Sequence, residues 1–547
     1  MNGDRLESWK EIAAYLGREV RTVQLWEKSE ALPIHRHQHA RQGSVYAFKS
    51  ELDAWRNARR TSGAGEAPRR WGWAVAAVVL ILAGAGFWTW KMRRSEAVTS
   101  VVVLPFSDFS PQHDQEYFSD GLTEELIDAL SRVPNLRVVA RTSAFSFKGR
   151  PADIREIGKQ LNVGAVIEGS VRKAGDQIRI TAQLNRVSDG THLWSRTYDR
   201  QLRDIFAVQR EISQTIANQL RAGPSAPAAD PTADLEAYRL YEEGRFFFSQ
   251  FQPPGSNLKA IERYQQAIAR DPKFVLAYVG LSEAYAYLAE NFVLPPREVM
   301  PKAKAAAEKA VELDANSPEA HTALAAVKLD YDWDQEGAAR ELHKALEIRP
   351  GLAWAQHWYA HSLEAQGKLE EALKQLYVAL SADPLSIPIR WDIGNELIAQ
   401  RRYDEALRHL DTSTELFPNV PLLLFEKSFA RYGKGDVAGG DQVAAQMKAL
   451  NPEILSEPFN IAFFGMVDAS EGRRAAGRAA LDQLEKMRAT QYVDAAFVVG
   501  LCEALGDQKA RAQWLQRMQE ERSAIFLYLP LLERFWAAMP QTAAGRE

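Results

Sequence analysis

The chain has 547 residues, 46% of them hydrophobic and 25% charged, the balance of a folded protein too long for one hydrophobic core. Its net charge of −4 is uneven: residues 1–60 carry +3 and the remainder −7, a small basic head able to meet an anionic polymer and a larger acidic body. Cys502 is the single cysteine, which excludes an intramolecular disulfide and a cysteine-based zinc site.

In the head, Ser8-Trp9-Lys10-Glu11 has the S-x-x-E spacing of a capping box and predicts a helix over residues 9–16. Gly17 supplies a left-handed turn, and a second helix is expected over residues 20–28. Ile12, Ala13, Leu16, Val20, Val23 and Trp26 would form the shared core of a helix-turn-helix. Residues 43–48 alternate as a strand, and a third helix follows, capped by Ser50 and anchored by Leu52 and Trp55.

The stretches SWKEIAAYLG, RTVQLW (21–26), LPIHRH (32–37) and GSVYAFKSELDAW (43–55) resemble the winged-helix DNA-binding domain of the MerR and excisionase class, over residues 1–58. The resemblance implies that the second helix enters the major groove of double-stranded DNA. Arg18, Arg21, Thr22 and Gln24 would then face DNA, with Lys28, Arg36 and Arg41 as phosphate contacts. Leu25 stands where relatives usually carry a basic residue. A protein-binding module is the other reading of the same fold. His35, His37 and His39 alternate along one strand face; a DNA-facing wing accounts for them, and no metal or cofactor is expected.

Residues 59–70, RRTSGAGEAPRR, read as a flexible linker. Residues 71–90, WGWAVAAVVLILAGAGFWTW, contain no charge; as a helix of about 30 Å they match the hydrocarbon thickness of a bilayer. Trp71, Trp73, Trp88 and Trp90 would sit at the headgroup boundaries. The expectation is one transmembrane helix, a retained signal anchor in the inner (cytoplasmic) membrane. The excess of basic residues before it predicts a cytoplasmic amino terminus and a periplasmic or extracellular carboxyl-terminal part. Gly84-Ala85-Gly86 offers small residues for helix contact in a homodimer, without G-x-x-x-G spacing.

Residues 98–221 alternate strands and helices: a strand over 99–106, a helix over 120–130, a strand over 136–140, a helix over 154–161 and a strand over 165–172. Gly175-Asp176 and Asp189-Gly190 then mark hairpins into strands over 177–187 and 192–198, before a helix over 204–220. The pattern is that of a mixed α/β domain. The pieces VVVLPFSDFS, YFSDGLTEELIDAL, ARTSAFSFKG, VIEGSVRKAGDQIRITAQL and DGTHLWSRTYDR resemble the TolB amino-terminal-like or FlgO-like domain, which implies an interaction domain and transfers no catalytic residue. Asp108, Asp120, Glu124 and Glu125 are read as acids in the first turn of a helix, favoured by its dipole. The chain has no G-x-x-x-x-G-K-[ST], H-E-x-x-H or G-x-S-x-G motif, so no enzymatic activity is expected.

Residues 222–234 begin AGPSAPAADP and read as a second linker. Beyond them Pro350, Pro384, Pro418 and Pro452 fall 34 residues apart, the tetratricopeptide period of two antiparallel helices. Small residues stand where paired helices touch: Ala326, Ala338, Ala345, Ala360, Ala372, Ala379, Gly394 and Ala406. Residues 235–547 are therefore expected to form an all-α tetratricopeptide-repeat solenoid of eight helix pairs and a last helix, with a groove for a protein or peptide. Trp354, Trp358, Tyr359 and Trp391 are read mainly as packing, and His357 and His361 as ordinary face residues.

The multidomain order of winged helix, transmembrane helix, α/β domain and solenoid is similar to CadC-like membrane-integrated transcriptional regulators. A cytoplasmic head would bind DNA while the repeats bind a signal across the membrane. The alternative is an envelope scaffold whose winged helix and repeats both bind proteins.

Overall fold

The computed structural model describes residues 4–36, 44–61, 98–111, 115–150, 152–220, 230–249, 254–450, 454 and 456–539. The chain divides into two compact units, residues 1–96 and 97–547.

The first unit holds helices Trp9–Leu16, Val20–Glu30 and Lys49–Thr61, with strands β1 (Arg5–Leu6), β2 (His35–Arg36) and β3 (Val45–Phe48) in an antiparallel sheet of order β1-β3-β2. This is the element order of a winged helix-turn-helix. The Ser8 hydroxyl accepts from the Glu11 amide at 3.3 Å, which satisfies one orphan donor of the first turn, and the Glu11 carboxylate reaches back to accept from the Glu7 amide, just before the cap, at 2.9 Å. Gly17, at φ 66°, supplies the left-handed residue that ends the first helix. Ile12, Ala13, Leu16, Val23, Leu32, Val45, Ala47 and Leu52 make the core. Ser50 does not cap the third helix: that helix starts at Lys49, and the Ser50 hydroxyl donates to Asp4 at 3.1 Å.

In the second unit, β4 (Ser100–Val103), β5 (Ser107–Asp108), β6 (Arg137–Val138), β7 (Ala165–Ala174), β8 (Gln177–Arg186) and β9 (His192–Gln201) form a sheet of order β6-β4-β7-β8-β9, with β5 beside β7. The β4 strand is parallel to β6 and β7, while β7, β8 and β9 are antiparallel. Gly175 (φ 59°) and Gly190 (φ 72°) occupy left-handed positions in the two turns. The run Val101-Val102-Val103 is apolar throughout because both sheet faces are covered: Val101 and Val103 join the core under helices Glu116–Ser131 and Ile205–Gln219, and Val102 joins the cluster with Ile157, Leu161 and Val166. The first of these helices starts at Glu116, so Asp120, Glu124 and Glu125 lie beyond its first turn and need another account.

The solenoid contains eight helix pairs among the described residues. They are Leu235–Ser249 with Pro254–Arg270, Val275–Glu290 with Pro296–Leu313, Pro318–Val327 with Gln335–Ile348, and Ala353–Ala365 with Leu369–Ala382. Then come Ile387–Ala399 with Tyr403–Leu416, Pro421–Gly433 with Val437–Leu450, Pro458–Ser470 with Arg474–Met487, and Ala495–Leu505 with Gln508–Glu520; helix Leu529–Trp536 follows. Ala326, Ala338, Ala345, Ala360, Ala372, Ala379 and Ala406 are buried where helices meet. At Gly394 an added Cβ would lie 2.3 Å from the Glu426 carboxylate, so any larger residue there would have to displace that buried side chain. The fold is a tetratricopeptide-type solenoid.

The α/β body packs directly on this solenoid as part of one unit. The Ala140 amide donates to the Ala382 carbonyl at 2.9 Å. The buried Ser143 amide donates to Asp383 at 3.0 Å, and its hydroxyl accepts from the Leu385 amide at 2.7 Å. Arg349, at the end of the third pair, lies 2.7 Å from Asp128 of the α/β body and 2.5 Å from Glu319 of the solenoid.

The expected transmembrane helix is corrected. No helix among the described residues is long and apolar enough to cross a membrane, and residues 71–90, which carried that expectation, lie outside them. The longest helix described, Pro296–Leu313, has 18 residues and carries seven charged side chains. The most apolar ones, Pro458–Ser470 and Ala495–Leu505, have only 13 and 11 residues and bury their surface against neighbouring helices. The single-pass inner-membrane localisation, with a cytoplasmic amino terminus and a periplasmic or extracellular carboxyl-terminal part, is withdrawn with it.

Candidate functional site

On the head, Arg18 and Arg21 are exposed at the start of helix Val20–Glu30, Thr22 and Gln24 are half-buried, and Lys28 is exposed in its last turn. Leu25 is 61% exposed and shares a face with Arg21 and Lys28 through the i, i+4 and i, i+3 spacings. Arg36 does not present a free cation: its guanidinium sits 2.7 Å from Glu27. Arg41, His37 and His39 lie outside the described residues. His35 Nε2 is 2.7 Å from Glu51, and its ring stacks on Tyr46 at 5.1 Å.

The acids Asp120 and Glu124 are paired with cationic side chains, Glu124 across to the solenoid. Asp120 lies 2.5 Å from Lys148, and Glu124 pairs with Arg141 and with Arg245 of the solenoid. Burial and then the Asp128 charge push Glu125 up to about 8. Asp128 goes the other way: burial alone would raise it, but the Arg349 and Arg132 charges hold it below the usual carboxylate range.

The densest unexplained constellation is in the solenoid interior, on the first helices of successive pairs. His357, His361 and Glu364 share one face of helix Ala353–Ala365, and Asp392 and Glu396 share one face of helix Ile387–Ala399. His357 Nε2 lies 2.5 Å from Asp392 Oδ2, and His361 Nε2 lies 3.4 Å from the same oxygen. His361 Nδ1 is 2.7 Å from Glu364. One donor atom from each of His357, His361 and Asp392 falls within 4.8 Å of the others. His357, Glu364, Asp392, Glu396 and Glu426 are all buried, and Glu396 Oε1 has no hydrogen-bond partner.

Burial alone would lower the His361 pKa, but the Glu364 and Asp392 charges raise it well above the ordinary imidazole value. Asp392 is pulled down to about 2 against its own burial by the His361 charge and the His357 hydrogen bond. Burial and the Glu364 charge push Glu396 up to about 8, and burial pushes Glu426 well above its usual range.

Neither histidine is an ordinary face residue. The signal that could have revealed them was the repeat itself: Asp392 and Glu426 stand 34 residues apart at equivalent places, and His357 lies 35 before Asp392, so adjacent units bring them side by side.

Residues 522–536 reach the same interior. Arg522 donates to the Tyr331 carbonyl at 2.9 Å, Phe526 stacks on Trp333 at 4.4 Å, and the Tyr528 hydroxyl donates to Asp330 at 3.2 Å. Phe535, in helix Leu529–Trp536, packs on Phe429 at 4.2 Å and Phe425 at 5.7 Å. Helix Leu529–Trp536 thus packs on the first helices of the fifth, sixth and eighth pairs, and the turn Phe526–Tyr528 before it on the fourth, while Phe292 of the second pair meets Phe497 of the eighth at 4.7 Å.

No family model matches the chain. A protein of Rhizobium meliloti (strain 1021), provisionally named adenylate cyclase 3, is 37% identical over 235 residues, 42% of this chain and 40% of that protein. The transcriptional regulator HilA of Salmonella typhimurium is 24% identical over 299 residues, 52% of this chain and 51% of HilA. This chain therefore spans about half or less of the length of the curated relatives it matches. Among solved structures, an IFIT1 monomeric mutant with Gppp-AAAA is 14% identical with a TM-score of 0.43, covering 62% of this chain and 77% of that one.

Proposed function

We propose that the chain is a non-catalytic docking protein. The solenoid interior takes a helical segment of a protein or peptide, and the head binds a second macromolecule. The observation that carries this reading is the seating of helix Leu529–Trp536 on the inner helices, with Phe535 against Phe425 and Phe429. An amphipathic helix in a groove is a recurrent recognition mode of such surfaces, with aromatic side chains as anchors. The test uses the chain ending at residue 521 and a fluorescent peptide of residues 522–539. Saturable binding followed by anisotropy is expected, and a peptide that stays free at every concentration overturns the reading.

For the head, the exposed Leu25 between Arg21 and Lys28 favours a protein surface, since an apolar centre is what a protein partner covers. The likeness to HilA favours a second reading, DNA binding in transcription regulation, with Arg18, Arg21, Thr22, Gln24 and Lys28 on the DNA side. Duplex DNA titrated with the full chain across salt discriminates the two. On the DNA reading Arg21→Ala flattens the log–log salt slope by roughly 1. No retention of DNA even at low salt leaves the head as a protein module.

A further inference from the structure

The geometry points to a divalent transition-metal site, of the zinc class, held by His357, His361 and Asp392 inside the solenoid. Two imidazole nitrogens and one carboxylate are the donor set of open zinc sites, whereas magnesium and calcium favour oxygen throughout. With metal–donor bonds of about 2.1 Å, tetrahedral donors stand about 3.4 Å apart. His361 Nε2 and Asp392 Oδ2 are already at 3.4 Å, so that edge of the site is preformed. The His357 edge, at 2.5 Å, must open by about 1 Å, which side-chain rotation supplies.

Glu364 gives the arrangement its orientation. Its carboxylate sits 2.7 Å from His361 Nδ1, which leaves Nε2 as the coordinating nitrogen, the usual carboxylate–histidine support of a metal ligand. A separate observation points to a cation. Glu396, one helical turn after Asp392, is fully buried, and its Oε1 has no hydrogen-bond partner. A buried carboxyl oxygen left without a hydrogen-bond partner is costly, and a cation beside it removes that cost. The competing account is a plain hydrogen-bonded network in which His361 bridges Glu364 and Asp392.

The test is metal binding by the purified full chain, stripped with chelator and titrated with Zn²⁺ and, separately, Co²⁺. One equivalent of Zn²⁺ is expected, together with the intense visible bands of low-symmetry Co²⁺. Asp392→Asn and His361→Gln should abolish both signals, and Glu364→Gln should weaken Zn²⁺ binding by about 10–100-fold, as loss of such a supporting carboxylate does elsewhere. The triple change His35→Asn, His37→Asn and His39→Asn should leave both intact. Absence of bound metal in the unaltered chain, whose fold is not in question, overturns the site. So does metal that survives Asp392→Asn, or metal that disappears only with the head histidines.

Discussion

Replacing Arg349 by methionine tests whether the α/β body and the solenoid are one structure. The Arg349 side chain is 7% exposed and its Nη1 reaches both Asp128 and Glu319, so the change strands two carboxylates at once. Removing one partner of a fully buried pair costs ~3–5 kcal/mol. Asp128 and Glu319 retain 32% and 25% of their side-chain exposure, and water reaching them reduces the expected loss to ~2–3 kcal/mol. Asp128→Asn alone should cost less, ~1–2 kcal/mol, because Arg349 keeps Glu319. In the double variant the penalties should overlap, leaving a coupling of ~1 kcal/mol that belongs to the cross-body pair. Urea unfolding of the four proteins, followed by circular dichroism and by limited proteolysis, gives the cycle. A loss under ~0.5 kcal/mol for Arg349→Met, or coupling within error of zero, would refute a shared unit.

Two further outcomes follow from the interior. Glu125 and Glu396 have folded-state values of about 8 against an ordinary 4.5, so their contribution to stability is complete below the ordinary value and lost as pH rises to about 8. Thermal melting should therefore fall between pH 5.5 and 8.5, by up to ~1.4 kcal/mol per pH unit for the fully buried Glu396 and less for the half-buried Glu125; a Tm that rises over this range contradicts the assignment. Phe535→Ala removes a core aromatic worth ~3–5 kcal/mol, more than an eight-residue terminal helix needs to stay docked, so it should expose the segment from residue 523 onward to protease while most of the solenoid's melting is retained. An unchanged cleavage pattern would mean that Phe535 does not anchor that helix.

Local rules account for most of what could be read without coordinates. The capping box at Ser8, the left-handed Gly17, the hairpin glycines Gly175 and Gly190 and the 34-residue spacing of prolines each act within a few residues or one repeat, so they fix their elements wherever the chain goes. Ser50 shows the limit. Its type suits a cap, yet the preceding strand runs straight into the helix at Lys49 and leaves the hydroxyl to Asp4. The acids of helix Glu116–Ser131 show it again: they answer to Arg141, Lys148, Arg245 and Arg349, partners up to hundreds of residues away.

What composition and periodicity determined is therefore the list of elements: a helix-turn-helix with a small sheet, a mixed α/β body and stacked helix pairs. Tertiary structure alone decided that the α/β body locks onto the solenoid, that the terminal helix lies across the inner helices, and that His357, His361 and Asp392 converge. The physical reason is that helix and turn preferences depend on near neighbours, whereas burial of a charge or an aromatic ring depends on which distant surface arrives to cover it.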